Sequence, residues 1–173
     1  MKIEIGRLWG LPAHALLVHI PIVLTPITAA GGLATAFSGW WRRRVGAIVL
    51  VSAAVLAVGT QLAIGSGEAL REAVRKTPLV RTHVGQSDLL EPVMLALLGS
   101  ILGLLLIERA RVRGAEGRLS GTRRAPTLRL LWCATVLATV VSAATATGLV
   151  IRAGHSGARA VWKDSPQLVR PLP

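Results

Sequence analysis

Four long apolar stretches alternate along the chain with short segments that are polar or basic. The stretches cover about Ala13–Phe37, Val45–Ile64, Val93–Ile107 (with a first turn near Leu89) and Leu130–Ile151. Apolar runs of about 18 or more residues without charge are typical of membrane-spanning helices. The pattern predicts an all-α, polytopic membrane protein, a bundle of four helices. Residues 1–164 are expected to form a single transmembrane domain, and residues 165–173, which include three prolines, an extended tail.

Proline and glycine positions indicate where these helices bend or end. Pro21 and Pro26 lie inside the first span, and because proline removes a backbone donor, we expect a kink near His19. Glycine readily adopts the conformation found after helix C-termini. We therefore expect Gly65-Ser66-Gly67 to end the second helix, and Gly154-His155-Ser156-Gly157 to break or bend the fourth.

Basic residues are concentrated in the loops and predict the orientation of the protein. The chain has a formal net charge of +12, yet its basic residues lie between apolar runs rather than along one helix face. Membrane topology therefore explains them better than a nucleic-acid partner does. The first loop, with Arg42–Arg44, and the third loop, Glu108–Arg129, carry most of this charge. The positive-inside rule places both in the cytoplasm, and the termini and middle loop outside the plasma membrane.

This topology brings all four histidines of the chain, His14, His19, His83 and His155, to the extracytoplasmic half. Ionisable side chains are costly inside a bilayer, and they usually face the bundle interior and have a function. Imidazole is the commonest protein ligand of transition metals and the usual axial ligand of b-type haem. A helix bundle supplies an apolar slot for such a group. The four histidines are therefore candidate haem or metal ligands.

The spacing of the histidines restricts which of them act together. On a regular helix, His14 and His19 are separated by about 7.5 Å along the axis and by about 140° in direction, so they cannot easily hold one small ion together. That spacing argues against a zinc site. We favour a pair formed by a first-helix histidine and either His83 or His155. Arg81 and Arg152, at the same level, are expected to pair with haem propionates.

Simpler roles for these residues stay open at this point. His14 is close enough to the interface to be hydrated, and His19 has the option of bonding to a backbone carbonyl. His83, in a polar loop, is an equally good candidate for a solvated residue. His155, between glycine and serine, is a candidate for a turn residue. Four nearby acidic residues, if not simply solvated, are able to bind a divalent ion with His83: Glu68, Glu72, Asp88 and Glu91.

Three segments carry a resemblance to a known family. HALLVHIP, GTQLAIGSGEAL followed by the lone His83, and GLVIRAGHSGARAVW together resemble domain-of-unknown-function family 2231, predicted four-helix membrane proteins. The resemblance spans His14 to Trp162. In that family the opening motif usually reads His-Pro before a His-x-Pro element, and here Ala15 stands where the first proline would be. Some members resemble fusions with a Rieske iron-sulfur domain, which implies an electron-transfer setting.

These patterns predict a membrane electron-transfer subunit that holds one or two b-type haems between histidine pairs near the extracytoplasmic face. The expected partners are the lipid bilayer and other subunits of a respiratory assembly, with a Rieske-type protein among the candidates. The sequence contains no phosphate loop, nucleophile triad or CxxC motif, so we expect a carrier rather than an enzyme.

Two alternatives belong to other functional classes. One is a cofactor-free accessory or assembly subunit of a larger membrane complex. The other is a small transporter or proton pathway that uses buried imidazoles. The sequence shows no inverted repeat and no acidic residue at the middle of a helix, and the lack of these two features makes transport the weaker alternative.

Overall fold

The structure is a computed structural model that describes residues 7–8, 11–73, 77–116 and 124–163. Two-residue strands β1 and β2 pair antiparallel and are followed by six helices. The elements are β1 (Arg7–Leu8), β2 (Leu11–Pro12), α1 (Ala13–Leu17), α2 (His19–Phe37), α3 (Gly39–Ala73), α4 (Pro78–Ser87), α5 (Leu90–Glu116) and α6 (Arg124–Lys163). Four helical stretches are long and apolar enough to cross a membrane. The predicted all-α membrane bundle is confirmed, whereas the predicted tail lies outside the described residues.

The kink predicted near His19 is present as a break in the helix. α1 ends at Leu17, Val18 forms a turn and α2 begins at His19. Pro21 has no N–H to donate to the carbonyl of Leu17, so the regular hydrogen-bond ladder fails at this point. The same arrangement recurs in the second half of the chain.

The third span is also preceded by a short helix and a turn. α4 begins after Thr77, whose side chain accepts a hydrogen bond from the N–H of Val80 and caps the helix. α4 ends at Ser87, and α5 begins three residues later at Leu90. Pro92 removes the N–H that would bond to the carbonyl of Asp88. Each half of the chain thus starts with a short helix that carries one histidine, then a turn, then a long helix.

The predicted end of the second helix is wrong, and the fourth helix is not broken where a break or bend was expected. α3 continues through Gly65-Ser66-Gly67 to Ala73, and α6 continues through Gly154–Gly157 to Lys163. Ser66 Oγ donates to the carbonyl of Ala63 at 2.8 Å, and Ser156 Oγ donates to the carbonyl of Ala153 at 3.0 Å. Each serine is therefore satisfied within its own helix. Gly67 and Gly157 lie inside these helices, each beside a histidine ring.

The four long helices pack around a core of aliphatic and small side chains. α2 and α5 each pack against both α3 and α6. Leu56, Met94, Leu97 and Ile101 are almost fully buried, together with the small residues Ala53, Ala143 and Ala146. Small residues let membrane helices approach each other closely. Large apolar side chains such as Ile27, Ile48 and Leu137 are exposed on the outside, as expected for surfaces that face lipid.

One end of the bundle, here called the arginine end, is closed by a buried arginine. Arg42 on α3 donates from Nη1 to the carbonyl of Thr35 at the end of α2. Its Nε and Nη2 donate to Glu108 Oε2 on α5 at 3.3 and 3.2 Å. Its guanidinium also lies 4.2 Å from the centre of the Trp132 ring on α6. Arg42 therefore connects all four long helices, a role that loop charge alone does not predict.

Candidate functional site

Two of the four histidines meet at the opposite end of the bundle, here called the histidine end. His14 lies on α1 and His83 on α4, and both side chains are partly buried. Their ring centroids are 6.3 Å apart and their planes are inclined by 78°. The structure therefore pairs a first-helix histidine with His83, one of the two pairings that the sequence left open.

Each ring is held by a backbone carbonyl of a neighbouring long helix. His14 Nδ1 lies 2.9 Å from the carbonyl oxygen of Ala63 on α3, and His83 Nδ1 lies 3.0 Å from that of Ala153 on α6. A carbonyl oxygen can only accept, so both Nδ1 atoms carry the proton and donate it. In the neutral form of each ring, Nε2 is then the unprotonated nitrogen, which is the one that binds a metal.

A serine and a glycine complete each of the two ring environments. Ser66 Oγ is 3.4 Å from His14 Nδ1, and Ser156 Oγ is 3.3 Å from His83 Nδ1. A Cβ added at Gly67 would lie 3.0 Å from His14 Cε1, and one at Gly157 would lie 3.1 Å from His83 Cε1. A side chain at either glycine would press on the ring, so these glycines allow the imidazoles to approach the long helices.

The two ring environments are copies of one motif, which the sequence interpretation missed. Ala63-x-x-Ser66-Gly67 recurs 90 residues later as Ala153-x-x-Ser156-Gly157. Val51-Ser52-Ala53-Ala54 recurs at the same 90-residue offset as Val141-Ser142-Ala143-Ala144. Because each half contains two spans, the halves run in the same direction across the bundle, which differs from an inverted repeat. The histidine pair lies where the two halves meet.

The other predicted site residues do not join the pair. His19 and His155 are exposed, and so are Arg81 and Arg152. Among the residues that the structure describes, no group of three or more His, Cys, Asp or Glu side chains is placed to hold a metal ion. Glu68, Asp88 and Glu91, the described members of the acidic cluster suggested around His83, form no such group, and the side chain of Glu72 lies outside the described part of the chain. Pairing of Arg81 and Arg152 with haem propionates stays a prediction.

The distance between the two ring centroids is close to that expected for two imidazoles that bind one metal. Imidazole nitrogens bind transition metals at about 2.0–2.1 Å, and the ring centre lies roughly 1 Å behind the nitrogen, so the centroids of two opposed rings are about 6 Å apart. The observed separation of 6.3 Å agrees with that value. Histidines that bind metals almost always donate their other N–H to a carbonyl, a carboxylate or water, as both rings do here.

Comparison with known proteins gives a family and no activity. A family model described as a predicted membrane protein, DUF2231, matches residues 10–168, a range that includes the histidine pair and both copies of the repeated motif. No curated protein and no solved structure matches the chain. The resemblance found in the sequence is thereby confirmed. The chain belongs to the DUF2231 family of predicted membrane proteins.

Proposed function

We propose that this protein binds one haem b between His14 and His83 and transfers electrons as a non-catalytic subunit of a larger membrane assembly. The observation that carries the proposal is the pair itself: two rings with centroids 6.3 Å apart, each with Nδ1–H bonded to a carbonyl. Both rings thus offer Nε2 as a neutral ligand. The single pair supports one haem rather than two.

The number of ligands favours haem over a bare metal ion. A porphyrin supplies four nitrogen ligands itself and needs only one or two axial ligands from the protein. Structural zinc sites need four protein ligands and catalytic ones about three, whereas the described residues bring together only two. A helix bundle is also a common host for haem. When bound, the haem supplies the one-electron chemistry.

The chain's own residues set the position and basicity of the ligands. The carbonyls of Ala63 and Ala153 hold the rings in one tautomer, and a hydrogen bond from Nδ1–H makes Nε2 a stronger ligand. The Ser66 and Ser156 hydroxyls stand beside the same Nδ1 atoms. By the positive-inside rule the histidine end is extracytoplasmic, where a Rieske-type or other redox subunit is a suitable partner.

Absorption spectra of the histidine variants test the proposal. We expect the full chain, produced with ample haem, to show a sharp Soret band and split visible bands after reduction with dithionite. His14→Ala and His83→Ala should each abolish or strongly reduce these bands. His19→Ala and His155→Ala are matched controls from the same end of the molecule and should retain them.

Electron paramagnetic resonance of the oxidised protein gives a second readout. If His14 and His83 hold the haem with their planes at the observed 78°, the oxidised protein would give a strongly anisotropic low-spin signal. Protein that folds in the presence of haem without a Soret band contradicts the proposal. If the variant lacking all four histidines then assembles normally, the accessory-subunit alternative takes its place.

A further inference from the structure

A second candidate site lies at the histidine end, in a groove between α4 and α6. Its volume is about 290 Å³. α4 contributes Leu79, Thr82 and Gln86, which are spaced so that they share one helix face. From α6, Arg152, His155 and Arg159 line the opposite wall. Among the described lining residues three are basic or protonatable and none is acidic, so the groove is suited to an anion.

The internal repeat shows that the fold does not require these cationic residues. The motif shared by the two halves consists of the alanine, serine and glycine that hold each histidine ring. At the 90-residue offset, the positions of Arg152, His155 and Arg159 are occupied in α3 by Leu62, Gly65 and Ala69. One half therefore forms the same ring environment with apolar or small residues at these positions. Arg152, His155 and Arg159 therefore have no basic counterparts at the equivalent positions of the first half.

The position of the groove along α6 corresponds to the level of lipid headgroups. The apolar run of α6 ends at Ile151, which is 66% exposed, and Arg152 follows it directly. Arg159 lies about 10 Å farther along the helix axis. A ligand in this groove therefore meets apolar side chains at Leu79 and Ile151 and cations beyond them. This order matches an amphiphile with an anionic headgroup.

One polar atom of the groove lacks a partner. Gln86 Oε1 is buried and accepts no hydrogen bond, although a buried acceptor without a partner destabilises a protein by about 1–3 kcal/mol. Because the Gln86 side chain lines the groove, a rotation of its amide brings Oε1 within reach of a hydroxyl group on the ligand. A headgroup with both a phosphodiester and free hydroxyls provides an anion for the arginines and a donor for Gln86.

We infer from this geometry that the groove binds phosphatidylglycerol from the leaflet at the histidine end. The phosphodiester lies between Arg152 and Arg159, the glycerol hydroxyls donate to Gln86 Oε1, and the acyl chains run along Ile151 and Leu79. Arginine side chains close to a membrane surface attract anionic lipid headgroups electrostatically. Neither proposed haem ligand lines the groove, although Ser156, which stands beside His83, belongs to its lining.

Native mass spectrometry of the detergent-purified full chain tests this site. The protein is titrated with phosphatidylglycerol, with phosphatidylcholine of the same acyl chains, and with inorganic phosphate. We expect bound phosphatidylglycerol at concentrations where the other two do not bind. Each of Arg152→Gln and Arg159→Gln should weaken its binding about fivefold, and the double variant about thirtyfold, since each surface arginine contributes about 1 kcal/mol.

Matched variants separate the groove from general charge and general lipid effects. Arg109→Gln with Arg113→Gln removes two exposed arginines from the opposite end of the bundle and should leave the affinity unchanged. Gln86→Leu should weaken phosphatidylglycerol binding while leaving that of phosphatidic acid, which lacks the glycerol hydroxyls, unchanged. Equal binding of phosphatidylcholine, or equal binding of inorganic phosphate, overturns the proposal.

The same samples distinguish this site from the proposed haem site. The Soret band is recorded for each arginine variant before the titration. Loss of phosphatidylglycerol binding with an unchanged Soret band, or in protein that binds no haem at all, supports the lipid site. Arg159 decides between the two sites, because Arg152 is also a predicted partner of the haem propionates. Loss of the Soret band in Arg159→Gln overturns the lipid proposal.

Discussion

At the scale of single residues, His14 and His83 are defined by what their rings touch. The sequence indicates that polar rings in an apolar setting are functional candidates, but the carbonyl that fixes His14 is 49 residues away and the one that fixes His83 is 70 residues away. No local pattern predicts such partners. For His14, hydration was an open alternative, and the structure instead gives its Nδ1–H a protein acceptor.

Gly157→Ala tests the contact that lets a ring approach its helix. A Cβ there would lie 3.1 Å from His83 Cε1, tighter than ordinary contact, so the ring must shift and its bond to Ala153 weakens. We expect haem affinity to fall about tenfold, as for other changes to the residues that orient a metal ligand. The measurement is a haem titration followed at the Soret band.

Gly154→Ala, one turn away on the same helix, is the control. Nothing lies within 4 Å of a Cβ at that position, and alanine favours a helix over glycine by about 1 kcal/mol. Haem affinity should be unchanged and thermal stability equal or slightly higher. Equal losses in the two variants would mean that the glycine contact does not position the ring.

At the scale of helices and turns, the prediction made from Pro21 is confirmed, whereas the helix end predicted from Gly65-Ser66-Gly67 is wrong. Pro21 correctly indicates a break, because a missing N–H acts on the backbone of its own helix. Gly65-Ser66-Gly67 wrongly indicates an end, because glycine is also selected where another residue must come close. Only the position of His14 beside Gly67 distinguishes these two uses. Local backbone chemistry is readable from sequence, and close approach between helices is not.

The Arg42–Glu108 ion pair links α3 to α5 at the arginine end, and its side chains are only 7% and 15% exposed. Removing Glu108 leaves the buried Arg42 guanidinium without a counter-charge, whereas removing Arg42 leaves Glu108 paired with the exposed Arg43 at 2.9 Å. Glu108→Ala should therefore lower the free energy of unfolding by about 3–5 kcal/mol and Arg42→Ala by less, measured by denaturation in mixed micelles. The double variant should lose less than the sum of the two single losses.

The control for this cycle is Arg109→Ala, which removes an exposed arginine beside Glu108. It should change stability by no more than about 0.5 kcal/mol. Arg42→Lys should lie between wild type and Arg42→Ala, because lysine keeps the charge and loses the planar fork that reaches two acceptors. Strictly additive single losses would show that the two side chains do not act as a pair.

At the scale of the whole molecule, the fold is two similar halves, each a short histidine-bearing helix followed by two long helices. Pseudo-symmetry places His14 and His83 where the halves meet, although the two residues are far apart in the chain and their flanking sequences differ. The repeat is visible in the sequence as V-S-A-A and A-x-x-S-G at a constant offset, and a search for internal repeats finds it. Only the structure shows that the two copies of the repeat form equivalent environments for two histidine rings.

The orientation predicted from loop arginines is tested by cysteine labelling in intact cells. The background is Cys133→Ser, which removes the single native thiol. Thr77→Cys, between α3 and α4, should react with a membrane-impermeant maleimide from outside. Arg109→Cys, at the arginine end, should react only after the membrane is permeabilised. The reverse labelling pattern would place the histidine end in the cytoplasm and would exclude an extracytoplasmic redox partner.

The sequence by itself determined that this is a four-span, all-helical membrane protein, because hydrophobic length and charge are properties of each segment alone. It also singled out the histidines, because a polar ring in an apolar run stands out without any knowledge of its neighbours. Only the tertiary structure decided that His14 pairs with His83, that glycines within helices make room for both rings, and that Arg42 closes the other end. Those outcomes depend on which helices pack together, and packing joins residues that are far apart in the chain.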